Sequence, residues 1–186
     1  MATWRLIVDS PQDGFYNMAF DQALFEDYPA RQVPTLRIYS WKSPCVSLGL
    51  NQQPQDVVKQ GINIPWVKRI TGGSAILHDQ EITYSLVFSS KDLDLSKNIK
   101  QSYKKLCAFL LNFYRKLGLT ANFAGEINPD SVSQYQKFCF SSNEFFDIVV
   151  NGKKLCGNAQ RRGKDVIFQH GSIPIGFNKK LVTKTI

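Results

Sequence analysis

The spacing of apolar residues predicts both strands and helices in the first half of the chain. Apolar side chains recur at every second position over residues 3–9 and 35–41, a spacing typical of strands. From residue 15 to about residue 28 they recur at helical spacing instead. Shorter elements are expected as strands or apolar runs at residues 45–48, 65–70, 74–78 and 82–88, and as a short helix at residues 56–60.

The clearest helical pattern covers about residues 97–117. Ser96 is the expected N-cap, and Gly118 is the residue expected to end the helix. We expect the apolar stripe of this helix to face the core. The stripe consists of Ile99, Tyr103, Leu106, Leu110, Phe113 and Leu117.

Consecutive hairpins are expected in the last third of the chain. Strands are predicted at residues 144–150, 153–160 and 166–173, and segments without regular structure at residues 128–137 and 176–186. Asn151-Gly152 favours a type I′ turn, and residues 161–164 form a second predicted turn. The order of elements predicts an α+β fold in a single domain over residues 1–186. In it, a mixed, largely antiparallel sheet is packed with helices. The regular strand-helix-strand alternation of a doubly wound fold is absent.

Composition supports a globular protein with a basic surface. Of the 186 residues, 43% are hydrophobic and 20% are charged, and the net charge is +8. The charge favours either a basic solvated surface or an acidic partner, and its even spread along the chain argues against nucleic acid. Apolar runs fall short of the roughly 18 residues that a membrane helix needs, and the first residues lack a signal-peptide pattern. We therefore expect a cytoplasmic protein that does not associate with a membrane.

The cysteines and histidines limit the chemistry. Four cysteines without a CxxC pair are expected to be free thiols, and no metal site is expected. His78 and His170 are the two histidines, so a His-dependent nucleophile would have to use one of them.

Three segments could carry chemistry. Arg69 and the turn Thr71-Gly72-Gly73 could let backbone N–H groups and a guanidinium approach a phosphate or a carboxylate, although such a turn is usually only structural. Gly157 and Ala159 could let a ligand lie against a strand, with Lys154 reaching in, or could belong to an ordinary hairpin. Cys139 could be a small buried hydrophobe, or a nucleophile if a cation such as Lys154 stabilises its thiolate.

Taken in order, these segments and others resemble the biotin/lipoate protein ligase and transferase family. Each motif is weak alone, but the ordered set is specific and covers nearly the whole chain. The matching segments are residues 17–24 (NMAFDQAL), 46–49 (VSLG) with Gln52, 69–79 (RITGGSAILHD), 154–160 (KLCGNAQ) and 169–173 (QHGSI).

Within this family, lipoate and biotin ligases form an adenylate, whereas one branch of octanoyltransferases carries the acyl group on a cysteine. Residues 139–150 (CFSSNEFFDIVV) are similar to the cysteine branch, and Lys154 follows at the matching distance. Ser74 stands where lipoate ligases usually have glycine. Relatives carry further helices after the last motif. This leaves open a minimal enzyme or one half of a split enzyme.

The resemblance implies a fold of the biotin/lipoate ligase catalytic-domain type. It also implies transfer of an octanoyl or lipoyl group from acyl carrier protein to a lysine of a lipoyl domain. Such domains occur in 2-oxo acid dehydrogenases and in the glycine cleavage H protein. Cys139 would carry the acyl group as a thioester, and Lys154 would assist. The implied substrate-binding residues are Arg69, Gly72, Gly73, Ser74, Ala75, Ile76, Leu77, His78, Gly157, Ala159 and His170.

Two alternatives stay open. An ATP-dependent lipoate-protein ligase would use the same loop and Lys154 to bind lipoyl-AMP, and would need ATP and Mg, whereas the transferase would need no cofactor. A non-catalytic subunit of a split ligase is the second alternative.

Overall fold

Two sheets form the framework of the protein. The computed structural model describes residues 3–95, 98–127, 145–176 and 178–185. The strands within these ranges are β1 (Arg5–Val8), β2 (Thr35–Tyr39), β3 (Cys45–Leu48), β4 (Trp66–Lys68), β5 (Ile76–His78), β6 (Glu81–Phe88), β7 (Asn122–Phe123), β8 (Ile148–Val150), β9 (Lys153–Arg162) and β10 (Ile167–Pro174). The helices are α1 (Gly14–Arg31), α2 (Ile99–Lys116), α3 (Ala124–Ile127) and α4 (Lys179–Thr185), with a 3₁₀ turn at Pro54–Asp56.

The larger sheet has seven strands in the order β1-β2-β6-β10-β9-β8-β7, and the smaller has three in the order β4-β3-β5. Only the pairs β1–β2 and β3–β4 are parallel among these strands. The mixed, largely antiparallel α+β fold predicted from the sequence is therefore confirmed.

Helix α1 is fixed to the larger sheet by a buried polar cluster. Asp13 caps the helix by accepting a hydrogen bond from the Tyr16 amide. The fully buried Arg37 on β2 donates to Asp21 Oδ1 at 2.9 Å and to Asn17 Oδ1 at 2.9 Å. Asn17 and Asp21 belong to the first family-like segment, so at least these two of its residues have a structural use. Their contacts place Met18, one position along the helix, between the two sheets.

Helix α2 shows that two details of its prediction were wrong. Asn98, not Ser96, is the N-cap, and its side chain accepts from the Gln101 amide. The buried face contains Leu106 and Leu110 as expected, but Phe113 and Leu117 are 42% and 61% exposed. Their places are taken by the buried residues Cys107, Leu111 and Tyr114. The buried face of α2 is therefore rotated about the helix axis from the predicted one, because Cys107, Leu111 and Tyr114 also pack against the sheet.

The hairpin between β8 and β9 has the predicted turn and an irregularity that was not predicted. Asn151 and Gly152 have φ values of 50° and 74°, as a type I′ turn requires. Val149 pairs with Lys154, but Ile148 pairs with Cys156, so Leu155 is an extra residue on β9. This β-bulge reverses which face the following residues of β9 present.

The segment after β10 departs from the prediction. Residues 179–185 were expected to lack regular structure but form α4. Leu181 and Val182 pack on the core of the smaller sheet, and the Thr185 carbonyl accepts from the Lys59 amide at 2.9 Å. Within the described ranges, no helix combines the length and apolar character needed to cross a membrane. The predicted loop at residues 128–137 lies outside the described residues.

Candidate active site

A pocket opens between the two sheets. The larger sheet contributes strands β6, β9 and β10, and the smaller contributes β5 and the loop before it. The wall is mostly apolar, with a few polar groups that converge on it, which is typical of a small-molecule site. The lining residues are Met18, Tyr39, Trp41, Arg69, Gly73, Ser74, Ile76, His78, Thr83, Asp147, Lys154, Gly157, Asn158, Ala159, His170, Gly171 and Ser172.

Most of the sequence-predicted binding residues lie on this pocket, but Ala75 and Leu77 do not. Along β5 and its approach, Ser74, Ile76 and His78 line the pocket. Because side chains alternate along a strand, Ala75 and Leu77 point the other way and belong to the core of the smaller sheet. The structure therefore places these two residues outside the pocket lining, and their assignment to substrate binding stays a prediction. Gly72 lies just beside the pocket, on an adjoining groove.

Arg69 is buried and holds the glycine loop in shape. Its guanidinium donates to the carbonyl oxygens of Gly72 and Ser74 at 2.8 Å each, and to that of Ser47 at 3.0 Å. Its Nε donates to Thr71 Oγ1 at 3.1 Å. These bonds tie the loop to strand β3, so the arginine has a structural use whether or not a ligand also reaches it.

His170 lies behind the same loop. Its Nε2 is 2.8 Å from Thr71 Oγ1. Burial lowers the pKa of His170 well below its usual value, and the nearby charges of Arg69 and His78 lower it further. The imidazole is therefore neutral at physiological pH and suits a hydrogen bond with a hydroxyl group.

His78 stands in a buried network that joins the two sheets. Its ring stacks on Trp41, with the ring centroids 3.8 Å apart. Its Nδ1 is 2.7 Å from Glu81 Oε1, and Ser172 Oγ donates to Glu81 Oε2 at 2.7 Å. Burial alone would raise the pKa of Glu81, but the charge and hydrogen bond of His78, with the two hydroxyl donors Ser172 and Thr83, hold it below its usual value. The network keeps a carboxylate charged directly behind the pocket-lining residues His78, Thr83 and Ser172.

Lys154 brings a buried cation to the pocket. Its Nζ lies 2.6 Å from Asp147 Oδ2, and both side chains are 5% exposed. The extra residue Leu155 explains how Lys154 shares a pocket face with Gly157 and Ala159, since regular alternation would place it with Cys156 instead. Cys156 is in fact buried in the opposite core.

The described cysteines are poor candidates for a nucleophile. Cys45, Cys107 and Cys156 are buried free thiols. Burial, reinforced by Asp13, raises the pKa of Cys45 to about 12. Burial, with Asp147, raises that of Cys107 even further. A thiol must ionise to attack, so these two are suited to packing. The free-thiol prediction is confirmed for these three, whereas Cys139 lies outside the described residues.

Sequence reasoning passed over several residues on the pocket. Trp41, Thr83 and Ser172 line the pocket, and Asp147, which also lines it, pairs with Lys154. Asp147 lies within the segment similar to the cysteine branch, so its acidic side chain could have been proposed as the partner of Lys154. Asn158 gave no signal, because one polar residue between Gly157 and Ala159 is ordinary in a strand.

Known proteins match both the sequence and the fold. Residues 13–186 match the family described as the lipoyl protein ligase A/B catalytic domain. The octanoyltransferase LipM of Oceanobacillus iheyensis is 38% identical over 96% of this chain, which spans 66% of that protein. The octanoyltransferase LipM of Clostridioides difficile is 33% identical over 100% of this chain and 70% of its own length.

Solved structures agree. A crystal structure of lipoate-protein ligase A bound with ATP superposes with a TM-score of 0.80 at 25% identity, covering 100% of this chain and 71% of the other. The bi-partite lipoate protein ligase of Thermoplasma acidophilum, at 20% identity, has the same fold with a TM-score of 0.76, over 100% of this chain and 66% of the other. The chain spans about two thirds of the length of the curated relatives that it matches. By its sequence match, its fold and its relatives, this chain belongs to the family of lipoyl protein ligase A/B catalytic domains.

Proposed function

We propose that this chain is the catalytic domain of an octanoyltransferase that uses a cysteine. The choice of octanoyl transfer is supported by relatives named octanoyltransferase at 33–38% identity over nearly the whole chain. The structural observation that carries it is a buried lysine, Lys154, on a largely apolar pocket. Met18, Trp41 and Ile76 offer apolar surface for an acyl chain, and Lys154 offers a positive charge beside the reacting group.

In the proposed reaction, the Cys139 thiolate attacks the carbonyl carbon of the octanoyl thioester on acyl carrier protein. The carbon–sulfur bond to the carrier breaks, the carrier leaves as a thiolate that takes up a proton, and an acyl-enzyme forms. The lysine amine of a lipoyl domain then attacks this second thioester. An amide forms, the Cys139 thiolate is released, and the nitrogen loses its proton.

Lys154 would support this chemistry by its charge. A cation close to a thiol lowers the thiol pKa, because it stabilises the thiolate. Asp147 holds the ammonium in place, and so fixes where that charge acts. Most of the remaining predicted residues fall into two groups. Gly73, Ser74, Gly157 and Ala159 would border the acyl group, whereas Arg69, His78 and His170 would keep the pocket walls in position.

The proposal includes the partners and the conditions. The donor would be octanoyl-acyl carrier protein, and the acceptor a lipoyl domain of a 2-oxo acid dehydrogenase or the glycine cleavage H protein, in the cytoplasm. No cofactor would be required. The net charge of +8 would favour encounter with acidic carrier and lipoyl domains.

Intact mass spectrometry tests the proposal. The protein is incubated with octanoyl-acyl carrier protein without ATP, and we expect one octanoyl adduct that peptide mapping assigns to Cys139. Cys139→Ala should abolish both the adduct and transfer to a lipoyl domain, and Cys139→Ser should be nearly as damaging, because a hydroxyl is a weaker nucleophile. Cys107→Ala is the matched control, since Cys107 is buried in the core between α2 and the larger sheet and does not line the described pocket.

Two results would replace the proposal by an alternative. Product formation that requires ATP and survives in Cys139→Ala would indicate a lipoate-protein ligase, for which ATP and Mg would be substrates or cofactors. Activity that appears only when a second protein is added would indicate a subunit of a split ligase.

A further inference from the structure

A groove of about 360 Å³ adjoins the pocket along strand β9. Gly73, Asn158 and Ala159 line both the pocket and the groove, so the two lie next to each other. The groove extends along the strand as far as Arg162, the last residue of β9. A ligand whose reacting end lies in the pocket could therefore continue along the groove towards Arg162.

The groove runs beside a strand edge that can bind an extended ligand. Strand β8 pairs with β9 only at residues 153–156, and in the described part of the chain no strand pairs with this edge beyond Cys156. The Asn158 carbonyl accepts a hydrogen bond from Tyr103 OH at 2.8 Å, so main-chain groups of β9 are directed towards this side. An extended arm that contains amides can pair with such an edge as another strand would.

The side chain of Asn158 lies on the face of β9 opposite to that of Gly157 and Ala159. Its Oδ1 accepts from Tyr84 OH at 2.6 Å, and Cys156 Sγ lies 3.5 Å from the same oxygen. Tyr84 OH itself accepts from Gln169 Nε2 at 2.8 Å, which fixes the direction of these bonds. Asn158 Nδ2 is thereby left buried, with no hydrogen-bond partner among the described residues. This amide is enclosed on the side of β9 that packs against α2, so it offers no donor to a ligand in the pocket, and a ligand along the groove would pair with main-chain groups of β9.

Arg162 places a cation at the far end of the groove, and it has no acidic partner in the part of the chain that the structure describes. Its guanidinium donates to the neutral Gln160 side chain at 3.1 and 3.2 Å, and no carboxylate of the described residues lies within ion-pair distance of it. Beyond Arg162, a second cavity is lined by Lys91 and Lys164, together with Asp165. The end of the groove is thus suited to an anion, and arginine binds phosphate well because its N–H groups form a planar fork.

The length of the groove suits one component of the proposed donor. An acyl carrier holds its acyl group on a phosphopantetheine arm, with about 13 bonds between sulfur and phosphorus. At three bonds per residue these span about 15 Å when extended. From Gly157 to Arg162 strand β9 advances five residues, or about 16 Å. We propose that the groove binds the phosphopantetheine arm of the donor, with its amides along β9 and its phosphate on Arg162. This inference rests on the proposed octanoyl transfer.

Two small donors that differ only in the phosphate test the inference. Octanoyl-pantetheine and octanoyl-4′-phosphopantetheine are each compared as donors to a lipoyl domain. We expect kcat/KM to be about tenfold to a hundredfold higher with the phosphate, since a charged hydrogen bond has about that effect. Arg162→Gln should remove this preference and leave the reaction with octanoyl-pantetheine unchanged. Arg5→Gln, which removes the same charge from exposed β1 four strands away, should keep the preference.

The outcomes separate the groove from the reaction itself. Equal kcat/KM values for the two donors in the unmodified protein would overturn the inference and leave octanoyl transfer intact. A fall of equal size with both donors in Arg162→Gln would also overturn it, because Arg162 would then act on the fold. Absence of transfer from octanoyl-acyl carrier protein and from both small donors would overturn the proposed function, and the inference with it.

Discussion

Arg69 should be among the residues on which the stability of the protein depends most. Replacing it by alanine removes donors from three carbonyl oxygens, those of Ser47, Gly72 and Ser74, at a site where the arginine is 3% exposed. Hydrogen bonds to a charged group contribute about 1.5–3 kcal/mol each, so three give an upper bound of about 9 kcal/mol. Relaxation of the loop and entry of water reduce this sum, and losses above about 5 kcal/mol are exceptional for one substitution.

We therefore expect Arg69→Ala to lose about 3–5 kcal/mol of unfolding free energy. For a domain of this size each kcal/mol corresponds to roughly 2–4 °C in Tm, so Tm should fall by about 6–20 °C. Urea unfolding followed by circular dichroism gives the free energy, and a thermal scan gives Tm. The unfolding free energy of Arg69→Lys should lie between those of the unmodified protein and Arg69→Ala, because lysine keeps the charge but not the planar set of N–H donors.

Arg5→Ala is the control, since Arg5 is exposed on β1 and its side chain makes one hydrogen bond among the described residues, to Thr35 at 3.2 Å. It should cost less than about 1 kcal/mol. If Arg69→Ala unfolds at the same urea concentration as Arg5→Ala, the loop does not depend on the guanidinium and the structural account of Arg69 fails.

Two further predictions concern the same loop. Gly49→Ala should destabilise the protein strongly, because a Cβ there would lie 1.9 Å from the Gly73 carbonyl oxygen. In Gly72→Ala the added Cβ meets no atom within 4 Å, so Tm should stay nearly unchanged. Similar Tm values for the two variants would contradict this prediction. Burial lowers the pKa of His170 in the folded protein, so below about pH 6.5 the unfolded chain binds a proton that the folded protein does not. The free energy of unfolding therefore decreases as the pH falls, by about 1 kcal/mol at pH 5.5. His170→Gln should lose that part of the pH dependence, and urea unfolding at pH 7.5 and 5.5 that gives the same difference for both proteins would refute it.

Much of the fold was predictable because local signals and tertiary structure agree. Asn151-Gly152 is an example, since residues that tolerate positive φ specify the turn before any strand has paired. Helix α4 was not predictable, because only Leu181 and Val182 pack on the core and their partners lie more than a hundred residues earlier. The buried face of α2 differs from the predicted face for a similar reason. Cys107 and Tyr114 carry little weight in a pattern of apolar residues, yet they are buried.

The candidate site was predictable as a set of segments but not as a geometry. The ordered motifs led to Lys154, Gly157 and Ala159, which do line one pocket. A regular strand would have separated Lys154 from the other two, and the bulge at Leu155 that unites them depends on how β8 and β9 pair. Arg69 illustrates a second limit. A guanidinium beside a glycine turn can bind an anion or hold carbonyl groups, and only the path of the loop decides between the two.

The hydrogen bond between Ser172 and Glu81 has a consequence for how the protein folds. These residues are 91 positions apart and join strands β10 and β6, on which one wall of the pocket is built. Contacts of such long range require a large loop of chain to close before they form, and domains dominated by them fold slowly. The pocket therefore forms late in folding. A nascent chain that still lacks β10 carries Lys154 and the glycine loop but no enclosed site in which to use them.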